Sequence, residues 1–327
     1  MSVVVTSQAG PLDDAQLLRG KFALGNFELI LCSDGTFLLD GGAIFGVVPR
    51  TLWQKRMAPD ADNRVRLGLN TLVVRTGSAV VVIETGLGNK LDPKLREFVK
   101  NQEQLPLSFK AAGISEVDIT HVINTHLHFD HCGWNTTLHD DGAVTPTFPN
   151  ARYFCAAGEL AHGRLQLDRD RVSYLSLNYD PLIASGQLTL IDLDGAGKFA
   201  PDDPRLRGQE ILPPVKIQTS AEIVPGLWVE SLPGHTADVL GVHVESGGDH
   251  ACCVSDLIPT HHHLDPTWVM GYDLDPLRCI EEKKKFLARA ISERWLVVFP
   301  HDHQVAATRL EWNEKGKPQV QGIAKRK

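Results

Sequence analysis

The segment Thr125-His126-Leu127-His128-Phe129-Asp130-His131 constrains this chain more than any other part of it. It has the pattern HxHxDH and follows directly on the short apolar run 119–124, which reads as a strand. A continuing strand would send successive side chains to opposite faces, whereas a loop leaving the strand end can turn them toward one point. Imidazole and carboxylate are the ligands suited to zinc and its transition-metal neighbours. The segment therefore reads as the start of a metal centre. Four such groups can hold one ion, or begin two sites that need further ligands from elsewhere.

Three other places supply candidates. Pro233-Gly234-His235-Thr236 follows the strand-like run Leu227–Ser231, Ser255-Asp256 follows 251–254, and Pro300-His301 follows 296–299. Each is a His or Asp at the end of a β-type run, where α/β proteins collect their chemistry. The remaining pattern agrees with an α/β chain. Runs 27–32 and 36–39 read as a hairpin around Ser33-Asp34-Gly35, and 71–75 and 79–83 as a second hairpin around Thr76-Gly77-Ser78. Helical patterns occupy 92–100, 107–112 and 276–294, and 195–214 is rich in Gly, Pro and charge, as exposed loops are. Residues 1–26 read as a polar lead-in and 27–327 as one domain.

Composition narrows the class. The net charge is −7 over 327 residues, with no extended basic run, which argues against a nucleic-acid partner. No apolar stretch reaches the ~18 residues of a membrane span, so no membrane partner is expected. Six cysteines without CxxC spacing, and an opening without a leader pattern, point to reduced thiols and a cytoplasmic protein. Cys132 and Cys253 adjoin candidate ligands but read as small packing residues.

The ordered set Glu84-Thr85-Gly86, HxHxDH, Gly234-His235-Thr236, Ser255-Asp256 and Pro300-His301 resembles the metallo-β-lactamase superfamily, over residues 27 to 305. The resemblance implies an αββα sandwich, two mixed β-sheets flanked by helices. It implies that His126, His128 and His235 bind one metal ion, that Asp130, His131 and His301 bind a second, and that Asp256 bridges them. Two divalent ions are thus expected, zinc foremost, with manganese, iron and cobalt as alternatives. Glu84 stands where the family usually has Asp, in a role orienting a ligand histidine. True β-lactamases of the family lack the bridging Asp, the diiron branch has Glu in place of His128, and the nuclease branch adds nucleic-acid-binding features.

What remains is the group of hydrolases with a dinuclear site, and the chain is most similar to its lactonase and organophosphate-hydrolase-like members. The expected activity is opening of a small lactone or ester by hydroxide shared between the ions, with Asp130 as proton shuttle. Phosphotriester hydrolysis and a thioesterase of the glyoxalase II type are the alternatives. Phe45, Phe129, Trp134, His263, Trp268, Met270 and Tyr272 are the candidate substrate contacts. In acyl-homoserine lactonases a tyrosine three residues after the bridging Asp touches the substrate carbonyl. Here that position is Pro259, and Tyr272 is the candidate substitute. On the same resemblance, the gap between His131 and His235 is longer than in compact acyl-homoserine lactonases and reads as an insertion around 133–215 that shapes the pocket, and a homodimer is a possible assembly.

Overall fold

The computed structural model describes residues 18–193 and 215–321. The chain begins with β1 (Leu18–Leu24), β2 (Phe27–Asp40), two short helices α1 (Gly41–Phe45) and α2 (Arg50–Trp53), and the hairpin β3 (Arg64–Arg75) and β4 (Val80–Ile83). Helices α3 (Pro93–Val99) and α4 (Leu105–Ala111) lead to β5 (His121–Ile123) and the one-turn α5 (Phe129–Cys132). Then come β6 (Thr136–Leu138), β7 (Val144–Pro146), β8 (Arg152–Ala156), α6 (Ala157–Leu165), α7 (Asp180–Ala184) and β9 (Leu188–Ile191). The second half holds β10 (Lys216–Gln218), β11 (Glu222–Val224), β12 (Leu227–Ser231), β13 (Leu240–Ser246), β14 (Asp249–Cys253), α8 (Pro276–Ser292), β15 (Leu296–Val298), β16 (Ala307–Trp312) and β17 (Pro318–Val320).

Among the described residues these strands form two large mixed sheets, ordered β1-β2-β3-β4-β5-β8-β9-β10 and β11-β12-β13-β14-β15-β16-β17, with β6-β7 as a separate pair. Strand periodicity explains the layers. In β2, β3 and β4 the residues Leu29, Leu31, Leu72, Val74, Val81 and Ile83 face the second sheet and meet Val229, Val242, Val244 and Val298. Their neighbours Ile30, Val73 and Val82 face outward under Leu105, Phe109 and Leu160 of α4 and α6. On the other flank Phe286, Leu287 and Ala290 of α8 cover Cys252, Val297 and Phe299. The result is the expected αββα sandwich.

The parallel pairs β4/β5 and β14/β15 place their C-terminal ends at one edge of the sandwich. Glu84, the 126–131 loop, Asp256 and His301 all leave from those ends, and His235 follows β12 at the same edge. A hydrogen bond from Leu240 N to Thr125 O (2.9 Å) ties the two sheets together beside them.

The structure departs from the sequence reading in three places. Residues 27–40 are one strand, not a hairpin: β2 pairs with β3 on both sides of a bulge, Ser33 opposite Asn70 and Thr36 opposite Gly68. Asp34 sits in the bulge because its carboxylate is buried and accepts N–H groups from Leu87 (2.8 Å), Leu105 (2.7 Å) and Trp134 Nε1 (3.0 Å). The lead-in also gains structure, since β1 pairs antiparallel with β2. The region read as an insertion supplies β8 and β9, both interior strands of the first sheet. The loop expected over 195–214 lies outside the described residues.

Candidate metal centre

Seven predicted ligands meet at the sandwich edge in three overlapping groups: His126, His128 and His235; His126, His131 and Asp256; Asp130, His131 and His301. In the first group His128 Nδ1 lies 3.1 Å from His126 Nε2 and 3.2 Å from His235 Nε2. A tetrahedral zinc with ~2.0–2.1 Å bonds separates its ligand nitrogens by ~3.3 Å, close to these spacings. In the other cluster His131 Nε2 and His301 Nε2 are 3.0 Å apart, and Asp130 Oδ2 is 3.6 Å from His301 Nε2. Asp256 spans both. Its Oδ1 faces His301 Nε2 (3.1 Å) and His131 Nε2 (3.5 Å), and its Oδ2 faces His235 Nε2 (3.5 Å).

The far side of each ring is held, His128 excepted. Glu84 Oε2 accepts the Nδ1–H of His131, and its Oε1 accepts Thr125 N–H (2.7 Å). Glu84 does this from left-handed backbone (φ +66°), an uncommon conformation for a residue with a side chain. Asp273 Oδ1 accepts the Nδ1–H of His235 at 2.9 Å. The backbone oxygen of Gly68 accepts that of His301 at 3.0 Å, and Thr125 Oγ1 lies 3.1 Å from His126 Nδ1. Such outer hydrogen bonds fix the tautomer, leaving the inward nitrogen free as a ligand.

The electrostatics divide the cluster. Burial and the neighbouring imidazoles hold His126 and His128 well below the usual histidine range. Burial also opposes charge on His131, but Glu84, Asp256 and Asp130 outweigh it and raise that ring well above its usual value. Burial is outweighed in the same way at His235 and His301, both raised chiefly by Asp256. Asp256 itself is held well below the carboxylate range, the imidazoles overcoming its burial. The cluster thus calls for positive charge where lone pairs converge. Asp256 Oδ1 is buried with no hydrogen-bond partner among the described residues, as fits a metal-ligand oxygen. Five imidazoles and two carboxylates so arranged fit a pair of divalent cations.

A cavity of about 240 Å³ opens over these ligands. Phe129, Asp130, Met270 and Tyr272 line it, as the sequence reading expected, together with Phe37, Leu39, Phe98, Arg169, Val172 and Ser173, which that reading missed. Four predicted contacts lie elsewhere. Phe45 is fully buried, stacked between Trp53 (5.2 Å) and His263 (4.8 Å). His263 is fully buried and donates from Nε2 to Ile44 O (3.0 Å). Trp134 is buried beneath the first sheet's helices, with its indole N–H on Asp34. Trp268 packs edge-on to Phe45 with Arg56 over its other surface. Each is a large flat group whose partners were distant in sequence, and burial against them outcompeted a place at the cavity.

The sequence model of the metallo-β-lactamase superfamily matches residues 65–301. The chain belongs to that superfamily. Among solved structures, a probable metal-dependent hydrolase from Staphylococcus aureus matches with a TM-score of 0.74 at 25% identity, over 93% of this chain and 100% of that one. AidC, a dizinc quorum-quenching lactonase in complex with a product, matches at 0.70 and 21% identity, over 93% and 97%. The hydrolase AbOPH matches at 0.70 and 18%, over the same shares. In this superfamily member, Asp273 and Asp34 carried no local signal: each is an isolated aspartate whose partners lie in other segments.

Proposed function

We propose that this superfamily member is a metal-dependent hydrolase that opens a small lactone or ester, with two divalent ions, zinc foremost, held by His126, His128 and His235 on one side and Asp130, His131 and His301 on the other. The observation that carries the reading is Asp256, whose two oxygens face the two donor groups beneath one cavity. Two such ions, when bound, supply an activated water and polarise a carbonyl.

The chain's own residues do the rest. Asp130 borders both the ligand cluster and the cavity, so its carboxylate is placed to carry a proton toward the leaving oxygen. Tyr272 lines the same cavity, and burial followed by the charge of Asp130 pushes its phenol up to about 12. It therefore stays a hydrogen-bond donor at neutral pH, suited to the substrate carbonyl or the departing alkoxide. Phe37, Leu39, Phe98, Phe129 and Met270 offer apolar surface to an acyl or alkyl part.

The test is metal analysis of the purified protein together with kcat/KM values for lactones, aryl esters, a thioester and an aryl phosphotriester. The reading expects about two ions per chain and the highest kcat/KM on a lactone or ester. A higher value on the phosphotriester or thioester, or full activity after exhaustive chelation, overturns it.

A further inference from the structure

His128 differs from the other imidazoles of the centre. It presents Nδ1 to its two neighbours, so in its neutral form the proton sits on Nε2. That Nε2 is buried and has no hydrogen-bond partner among the described residues. The other rings have a partner on their outer nitrogen; this one does not.

A matching acceptor belongs to the residue that anchors the neighbouring position of the ligand loop. Glu159, on α6, is 1% exposed. Its Oε1 accepts the N–H of Leu127 (3.1 Å), the residue between the first two ligands, and the hydroxyl of Tyr174 (2.7 Å). Its Oε2 is buried and has no partner among the described residues. The Tyr174 ring packs edge-on against the His128 ring at 4.9 Å, so the orphaned donor and the orphaned acceptor flank one tyrosine. Buried polar groups of opposite kind left open around one side chain are a common setting for an ordered water. A ligand histidine of a metal centre normally gives its outer N–H to a carboxylate, directly or through water.

We propose that Glu159 is a positioning residue of the centre: its Oε2 takes the Nε2–H of His128 through one bridging water, while its Oε1 braces the ligand loop at Leu127. The idea rests on the metal-centre reading given above. It assigns to α6 and Tyr174 control of the ion bound by His126, His128 and His235, and leaves the ion at Asp130, His131 and His301 to Glu84. It also gives a physical reason for a carboxylate here rather than an amide. A glutamine would keep an oxygen for Leu127 and Tyr174, but would turn an NH₂ donor toward the His128 side.

The experiment titrates metal-free protein with zinc against a chromophoric chelator, for wild type, Glu159→Gln and Tyr174→Phe, with melting curves of each metal-free form. In Glu159→Gln, one of the two zinc equivalents should weaken by about 10–100-fold, with the other equivalent and the metal-free melting temperature unchanged. A purely structural brace predicts wild-type zinc affinity for this variant, and that result overturns the proposal. Weakening of both equivalents alike overturns it too. Should Glu159→Gln not fold, Tyr174→Phe carries the test: loss of the donor that fixes Glu159 should weaken the same single equivalent several-fold, and an unchanged titration overturns the assignment. Wild type that takes up no zinc sinks the metal-centre reading itself, an outcome distinct from a wild type that binds two ions and a variant that binds them equally well.

Discussion

Asp273 accepts from both the imidazole of His235, through Oδ1, and the backbone N–H of Met270, through Oδ2, each at 2.9 Å. One carboxylate thereby fixes the ring of a candidate ligand and the start of the cavity wall. An asparagine in its place would have a single acceptor oxygen for two donors. Asp273→Asn should therefore lower zinc affinity or kcat/KM by about 10–100-fold with little change in overall fold, measured by zinc titration and circular dichroism. Unchanged zinc binding would show that His235 is oriented by other contacts. This residue also shows the limit of reading a sequence. The seven candidate ligands, which the structure brings together, stood out because HxHxDH is local and the other three follow strand ends. Glu84 was legible by its place after β4. Asp273, Glu159 and Asp34 were not, because an aspartate or glutamate that accepts backbone or ring N–H groups across 30 or more residues has the same local signature as one in a surface turn.

Among elements, the loop after β4 and the helix α5 depend on each other. Thr85 N donates to His131 O (2.8 Å), Gly133 N to Gly86 O (2.7 Å) and Trp134 N to Thr85 O (3.0 Å). The two backbones can approach this closely because Gly133 has no side chain; a Cβ there would stand 2.0 Å from the carbonyl carbon of Leu87. The obstruction is backbone, which cannot swing aside. Gly133→Ala should thus cost about 3 kcal/mol or more and lower zinc content in the folded fraction, read by urea unfolding and metal analysis. A variant as stable as wild type would mean that the loop has a second packing. The long helix α8 and the core strands β4, β5, β12, β13, β14 and β15 were readable, and β12 agrees with its predicted bounds, whereas β1, β9 and β16 carried no pattern that marked them. The bulge in β2 was not, since Ser-Asp-Gly marks a turn by local chemistry and only the buried partners of Asp34 reveal an unbroken strand.

At the scale of the whole molecule, the sandwich buries histidines outside the metal centre in neutral form, and this sets its response to acid. His263 joins the lobe of α1 to the segment between β14 and α8. Its Nε2–H donates to Ile44 O, and its Nδ1 accepts from Thr260 Oγ1 at 2.8 Å. Burial, then the charge of Lys283, push it down to about 3, and burial with His261 does the same for His262. A histidine whose folded value lies below its ordinary one favours folding in full above about pH 6.5, and that contribution is lost as pH falls toward the folded value. The slope approaches about 1.4 kcal/mol per pH unit for each such group. The comparison that isolates the effect from the candidate metal centre is between wild type and His263→Gln, both saturated with zinc. The glutamine amide can still donate to Ile44 O but takes up no proton. The stability difference between the two, from urea unfolding, should shrink steadily from pH 7 to pH 4.5, with the variant losing less. A constant difference across that interval would mean that His263 enters the folded state already able to carry charge.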